Sequence, residues 1–110
     1  MIPILTLNVA DWTQTPAYRY RKIGPCSGEE YRDTILIPAL EKAEIVAVNL
    51  DGVVGYGSGW LSEVFEGLVE KLGPDVRERI RVTSSQFGYR VEQVSRWMQE
   101  AAERAQKVKP

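Results

Sequence analysis

Apolar positions change period several times along the chain, and each change marks an element. Ile4, Leu5, Leu7 and Val9 alternate weakly and predict a first strand over 4–9. Asp11 to Pro16 is rich in turn residues and reads as a loop. Ala17 to Ile23 alternates aromatic and basic side chains, Tyr18 and Tyr20 among Arg19, Arg21 and Lys22, which predicts a short edge strand. Ser27 stands three residues before Glu30, the capping-box spacing, and opens a helix expected to run to about Lys42. Tyr31, Ile35, Leu36, Ala39, Leu40 and Ala43 share its apolar face, and Pro38 inside the pattern predicts a bend.

The run Ile45 to Leu50 is almost continuously apolar and β-branched, as expected of a central strand covered on both faces. Asp51 to Gly59 contains four glycines and must be a loop. From Ser58 or Gly59 the period turns helical again. Trp60, Leu61, Val64, Phe65, Leu68, Val69 and Leu72 fall on one face, Glu63, Glu66 and Glu70 opposite, and Gly73-Pro74 ends the helix. Arg79 to Thr83 predicts a short strand. Val91, Val94, Met98, Ala101, Ala105 and Val108 define a narrow stripe on a long final helix, which lies on the surface or pairs with another helix. The expected order is β-β-α-β-α-β-α, an α/β domain with a small, mostly parallel sheet.

At 110 residues the chain suits one domain, residues 1–110. Its 14 basic and 15 acidic residues give a net charge of -1, which argues against a nucleic-acid or anionic-membrane partner. No apolar run approaches the ~20 residues that span a bilayer, and the start lacks a basic leader, so a cytoplasmic protein is expected. One cysteine, Cys26, fits a reducing compartment. It precedes a helix N-terminus, which favours reactivity, but a packed small side chain is the simpler reading. The chain has no histidine, which removes the usual general base and the commonest zinc ligand. No catalytic residue, metal site or cofactor is expected, and the domain reads as a non-enzyme.

The segment Asp51-Gly52-Val53-Val54-Gly55-Tyr56-Gly57-Ser58-Gly59-Trp60 leaves the central strand at the end where ligands and partners dock in α/β sheets. A dinucleotide fingerprint needs a third glycine where Trp60 stands, and no Gly-Lys-Ser/Thr follows for a phosphate loop. A hydrolase elbow at Ser58 has its glycines one residue too close and no histidine to activate the serine. The remaining reading is a strand-to-helix turn in which Ser58 caps the helix and is exposed at its N-terminus, where a phosphate would be tolerated.

The stretches SGEEYRDTILIPALEKAE and VNLDGVVGYGSGWLSEVFEGLVEKL resemble the bacterial STAS-like domains of unknown function, and DWTQTPAYRYRKIGPCSGE fits the same pattern. The likeness covers roughly residues 4 to 85. It implies a fold similar to the STAS domains of anti-sigma-factor antagonists, which offer a phosphorylatable serine on a strand–loop–helix to a kinase of the histidine-kinase ATPase type. Ser58 takes that serine's place, with Asp51 and Gly52 just after the strand. The characteristic motif has an acidic residue before the serine and a second serine after it, where this chain has Gly57 and Gly59.

The functional expectation is a non-catalytic, regulatory protein-interaction domain. It docks through Asp51, Gly52, Tyr56, Gly57, Ser58, Gly59 and Trp60, with Ser58 as phosphosite and a histidine-kinase-type ATPase as partner. Trp60 is an anchor candidate, although its wheel position borders the apolar face. Arg19, Arg21 and Arg32 form a candidate basic patch. The alternative is a small-molecule or nucleotide binder using the glycine loop, and a homodimer through the final helix or a sheet edge is a further expectation.

Overall fold

The structure, a computed structural model, describes residues 1–107; Val108, the last position of the predicted stripe, lies outside the described residues. Three strands, β1 (Ile2–Asn8), β2 (Ala43–Asn49) and β3 (Ile80–Thr83), form a wholly parallel sheet in the order β1-β2-β3. In register, Leu5 lies beside Val46 and Val46 beside Ile80, while Leu7, Val48 and Val82 make the next row. Those rows carry the core face.

Sequential strand order with right-handed crossovers carries every connection over the same face of the sheet. Val46 and Val48 are accordingly sealed, whereas Ile4 on the opposite face is 51% exposed and Ile45 and Ala47 are half-buried. The expectation of a central strand covered on both faces is therefore corrected. A near-continuous apolar run does not by itself report a second helical layer.

Helix α1 (Gly28–Tyr31) leads through a wider, π-type turn, Arg32–Leu36, into α2 (Ile37–Lys42). Ser27 caps it as expected, its Oγ accepting from the Glu30 N–H at 3.1 Å. The Ile37 N–H reaches back five residues to the Arg32 carbonyl. Pro38, at the start of α2, has no N–H to give to the preceding turn, and the wider winding accommodates it. The regular α-helical winding is thus interrupted just before the proline, where the sequence predicted a bend.

Helix α3 (Ser58–Leu72) buries Trp60, Leu61, Val64, Phe65, Leu68 and Val69, and Gly73 at φ 97° stops it. A 3-10 segment, Pro74–Arg79, leads into β3. Helix α4 (Gly88–Lys107) turns Val94, Met98, Ala101 and Ala102 inward and packs chiefly against α3. Each fully buried aliphatic side chain contributes about 1.5–3 kcal/mol, so the α3 stripe is the largest local source of stability.

The predicted strand over 17–23 is absent. The Tyr18 and Arg19 carbonyls instead accept from the Gly28 and Glu29 N–H groups at 2.9 and 3.1 Å, and the Ile23 N–H turns back to the Tyr20 carbonyl. The segment completes the exposed N-terminus of α1 and has no strand to pair with. No helix among the described residues is long and apolar enough to cross a membrane.

Candidate functional site

The loop between β2 and α3 is built from its two ends inward. At its start, Asp51 follows the last pair of β2, and its N–H is held by the Asn49 side chain at 3.1 Å. Its carboxylate gathers the chain beyond β3. One oxygen accepts from Ser84 Oγ at 2.5 Å and the Gln86 N–H at 2.9 Å, the other from the Ser85 N–H at 3.1 Å and Ser85 Oγ at 3.0 Å. The Ser84 bond, then the Gln86 and Ser85 N–H groups, hold the Asp51 carboxyl down at about 2. Asp51 is thus a clasp between two loops. Gly52 beside it sits at φ 92°, a left-handed position that suits glycine, and its N–H reaches Gln86 Oε1 at 3.1 Å.

Mid-loop, Tyr56 turns inward. Its hydroxyl donates to the Leu50 carbonyl at 2.7 Å, and its ring lies 5.6 Å from that of Trp60 and 5.4 Å from that of Phe87. Burial pushes this phenol well above its usual range, with Tyr31 and Asp51 adding to the effect. Val54, by contrast, is 85% exposed. Between them a shallow cavity of about 330 Å³ is lined by Pro16, Ala17, Val54, Gly55 and Gly57, among others.

Ser58 is the first residue of α3 and is exposed, as expected, but it is not the cap: Gly57 takes that position. The Ser58 hydroxyl is free of the helix backbone and accepts from Arg90 Nη1 at 3.2 Å. Arg90 comes from the first turn of α4. Its Nη2 also donates to the Tyr56 carbonyl at 2.9 Å, its Nη1 to Gln93 Oε1 at 2.7 Å, and its guanidinium lies over the Tyr89 ring. On the other side Arg19 lies over Gly59, where an added Cβ would come within 3.0 Å of Arg19 Nε. The N–H groups of Ser58, Gly59 and Trp60 have no acceptor within the helix, as for any first turn. One exposed hydroxyl therefore stands beside the Arg90 guanidinium at the positive end of a helix, with Arg19 against the next residue, Gly59.

The glycines flanking Ser58 now have physical reasons. A Cβ on Gly57 would fall 2.6 Å from the Ala17 carbonyl oxygen, and its N–H donates to the Pro16 carbonyl at 2.9 Å. The segment 16–19 occupies the space that larger flanking side chains would need. An added Cβ on Gly55, by contrast, would meet nothing within 4 Å.

Two expected members of the site are displaced. Trp60 is fully buried, its Nε1 donating to the Cys26 carbonyl at 2.9 Å and its ring against Tyr31, so it is a core residue and no exposed anchor. Cys26 itself takes a left-handed φ of 54° that aims this carbonyl inward. Arg32 is not part of an exposed basic patch. It is 6% exposed, bound to Glu63 Oε2 at 2.6 Å and Asp33 Oδ1 at 2.9 Å. Burial opposes its charge, but the bonds and charges of Asp33 and Glu63 outweigh that and raise its affinity for the proton. Of the basic patch, Arg21 stays exposed at the surface and Arg19 joins the Ser58 corner.

Arg90, Val54 and Tyr89, which is 64% exposed, were not singled out by sequence reasoning. No local pattern marks Arg90, because its contact with Ser58 spans 32 residues of chain. Among the described residues no group of three or more His, Cys, Asp or Glu side chains is placed to hold a metal ion.

No curated protein matches the chain. No solved structure matches it either. A family model described as a STAS-like domain of unknown function matches residues 27–86, from the α1 cap through α3 and β3 to the loop that Asp51 clasps. That match takes in more than half of the chain, and the chain belongs to the STAS-like domain family.

Proposed function

We propose that this domain is a non-catalytic, cytoplasmic interaction module that docks a partner protein at the start of α3, with phosphorylation of Ser58 as its switch. The observation that carries the reading is the exposed Ser58 hydroxyl, free of the helix backbone and 3.2 Å from Arg90 Nη1. Exposed Val54, in the same loop, and exposed Tyr89, under the Arg90 guanidinium, replace Trp60 as the anchor candidates.

The chemistry of the corner supports an acceptor of phosphate better than a nucleophile that works alone. A guanidinium donates hydrogen bonds and does not take up a proton, so among the described residues no hydrogen-bond partner of Ser58 activates the hydroxyl. The kinase must bring the base. Ser58 Oγ attacks the γ-phosphorus of ATP, the bond to the β-phosphate oxygen breaks, ADP leaves, and the hydroxyl proton passes to the kinase. The product dianion then meets Arg90 and the free N–H groups of the first turn of α3. The proposed enzyme is an ATPase of the histidine-kinase type, the partner implied by the likeness to anti-sigma-factor antagonists.

The test is incubation with MgATP and a histidine-kinase-type ATPase encoded by a neighbouring gene, read by intact mass. The wild-type chain is expected to gain one phosphate and Ser58→Ala none. Absence of phosphate on the wild type, or equal labelling of Ser58→Ala, removes the switch.

A further inference from the structure

We infer that Arg90 is the residue that registers phosphorylation of Ser58 and passes it to α4, an inference that rests on the phosphosite reading above. Arg90 divides its donors among three neutral acceptors, the Ser58 hydroxyl, the Tyr56 carbonyl and the Gln93 amide oxygen, and its buried Nε has no acceptor among the described residues. A guanidinium held this way is close to a phosphate on Ser58 before the phosphate exists. Bonds to a phosphate are charge-assisted and about twice as strong as bonds to neutral acceptors. Arg90 therefore exchanges Gln93, its partner one turn along α4, for phosphate oxygens, while the first turn of α3 supplies N–H donors from the other side.

The consequence is directional. Arg90 stands on α4, whose Val94, Met98, Ala101 and Ala102 face inward. A phosphate gripped by Arg90 ties the start of α4 to the start of α3, so phosphorylation tightens this helix pair. Arg19, from the segment before α1, lies against Gly59 and faces Glu63, further along α3. Glu63 is already taken by Arg32 at 2.6 Å and by Arg19 at 3.8 Å, and it leaves Arg90 without an acidic competitor in these contacts.

The experiment installs phosphoserine at position 58 during translation, which needs no kinase, and follows the ³¹P resonance against pH. The second pKa of the phosphate is expected about one unit below its ordinary value of about 6 in the wild-type chain. In Arg90→Gln it should return most of the way to that value. Amide exchange over 90–98 is expected to slow about tenfold on phosphorylation in the wild type and to stay unchanged in Arg90→Gln.

Arg90→Lys keeps the charge but cannot hold the Tyr56 carbonyl and the phosphate together. It should keep most of the pKa depression and lose the protection of α4. This variant carries the comparison if Arg90→Gln fails to fold. Equal pKa values in wild type and Arg90→Gln, faster exchange in α4, or full protection in Arg90→Lys would each overturn the inference. A kinase that ignores Ser58 would remove the function proposed above and leave this result standing, and an unshifted phosphate pKa would do the reverse.

Discussion

Replacing Trp60 by alanine separates a docking anchor from a core residue by magnitude. The side chain has no exposed surface, its ring meets Tyr31 at 5.2 Å and Tyr56 at 5.6 Å, and its Nε1 satisfies the Cys26 carbonyl. Truncating a buried tryptophan costs about 3–5 kcal/mol, and the lost hydrogen bond and ring contacts place this site near about 4 kcal/mol. A domain of this size holds about 5–15 kcal/mol in all, so Trp60→Ala leaves it close to unfolding. The melting temperature should fall by about 15 °C, at about 4 °C for each kcal/mol lost. Urea unfolding followed by far-UV circular dichroism measures the loss without relying on tryptophan emission. Trp60→Phe keeps a ring and removes only the donor, leaving the Cys26 carbonyl unmet, for about 1–2 kcal/mol. A loss under about 1 kcal/mol for Trp60→Ala would refute the packing argument and return Trp60 to the surface.

Two further predictions test the supports of the site. The Asp51 carboxyl is held at about 2 in the folded chain, below its ordinary value of about 3.9, so its contribution is present above about pH 4 and is lost as the pH falls toward 2. Asp51→Asn should lower the urea midpoint at neutral pH and flatten its dependence between pH 4 and 2; an unchanged acid profile counts against the clasp. Gly67→Ala reverses the usual gain from alanine in a helix. The new methyl group would meet the Arg32 guanidinium, and disturbing its bond to Glu63 at 2.6 Å outweighs about 1 kcal/mol of helix propensity. A net loss of about 1–3 kcal/mol is expected by chemical denaturation, and a gain would show that Arg32 relocates freely.

Elements whose signals are local were legible in the chain. Ser27 with Glu30 announced the start of α1, Gly73-Pro74 the end of α3, and the period of residues 60–72 its buried face. The failures share one cause. Alternating Tyr18, Arg19, Tyr20 and Arg21 has the pattern of an edge strand, but pairing needs a neighbour, and those carbonyls found the N–H groups of α1. Arg32 read as surface charge because nothing in its vicinity along the chain tells of Glu63, 31 residues away. Trp60 lay on the border of its wheel, and Tyr31 and the carbonyl of Cys26, reached from another element, decided its burial.

The sequence by itself determined the α/β class, a mostly parallel sheet, the position of the strand-to-helix loop and the exposure of Ser58, because period, caps and glycines act over a few residues. The tertiary structure alone decided what surrounds that serine. It brought Arg90 to the hydroxyl, laid Arg19 over Gly59, sank Trp60 into the core and fastened Asp51 to the loop after β3. Each of these joins residues 32 or more positions apart, and contacts of that range depend on how whole elements pack, which no local pattern records.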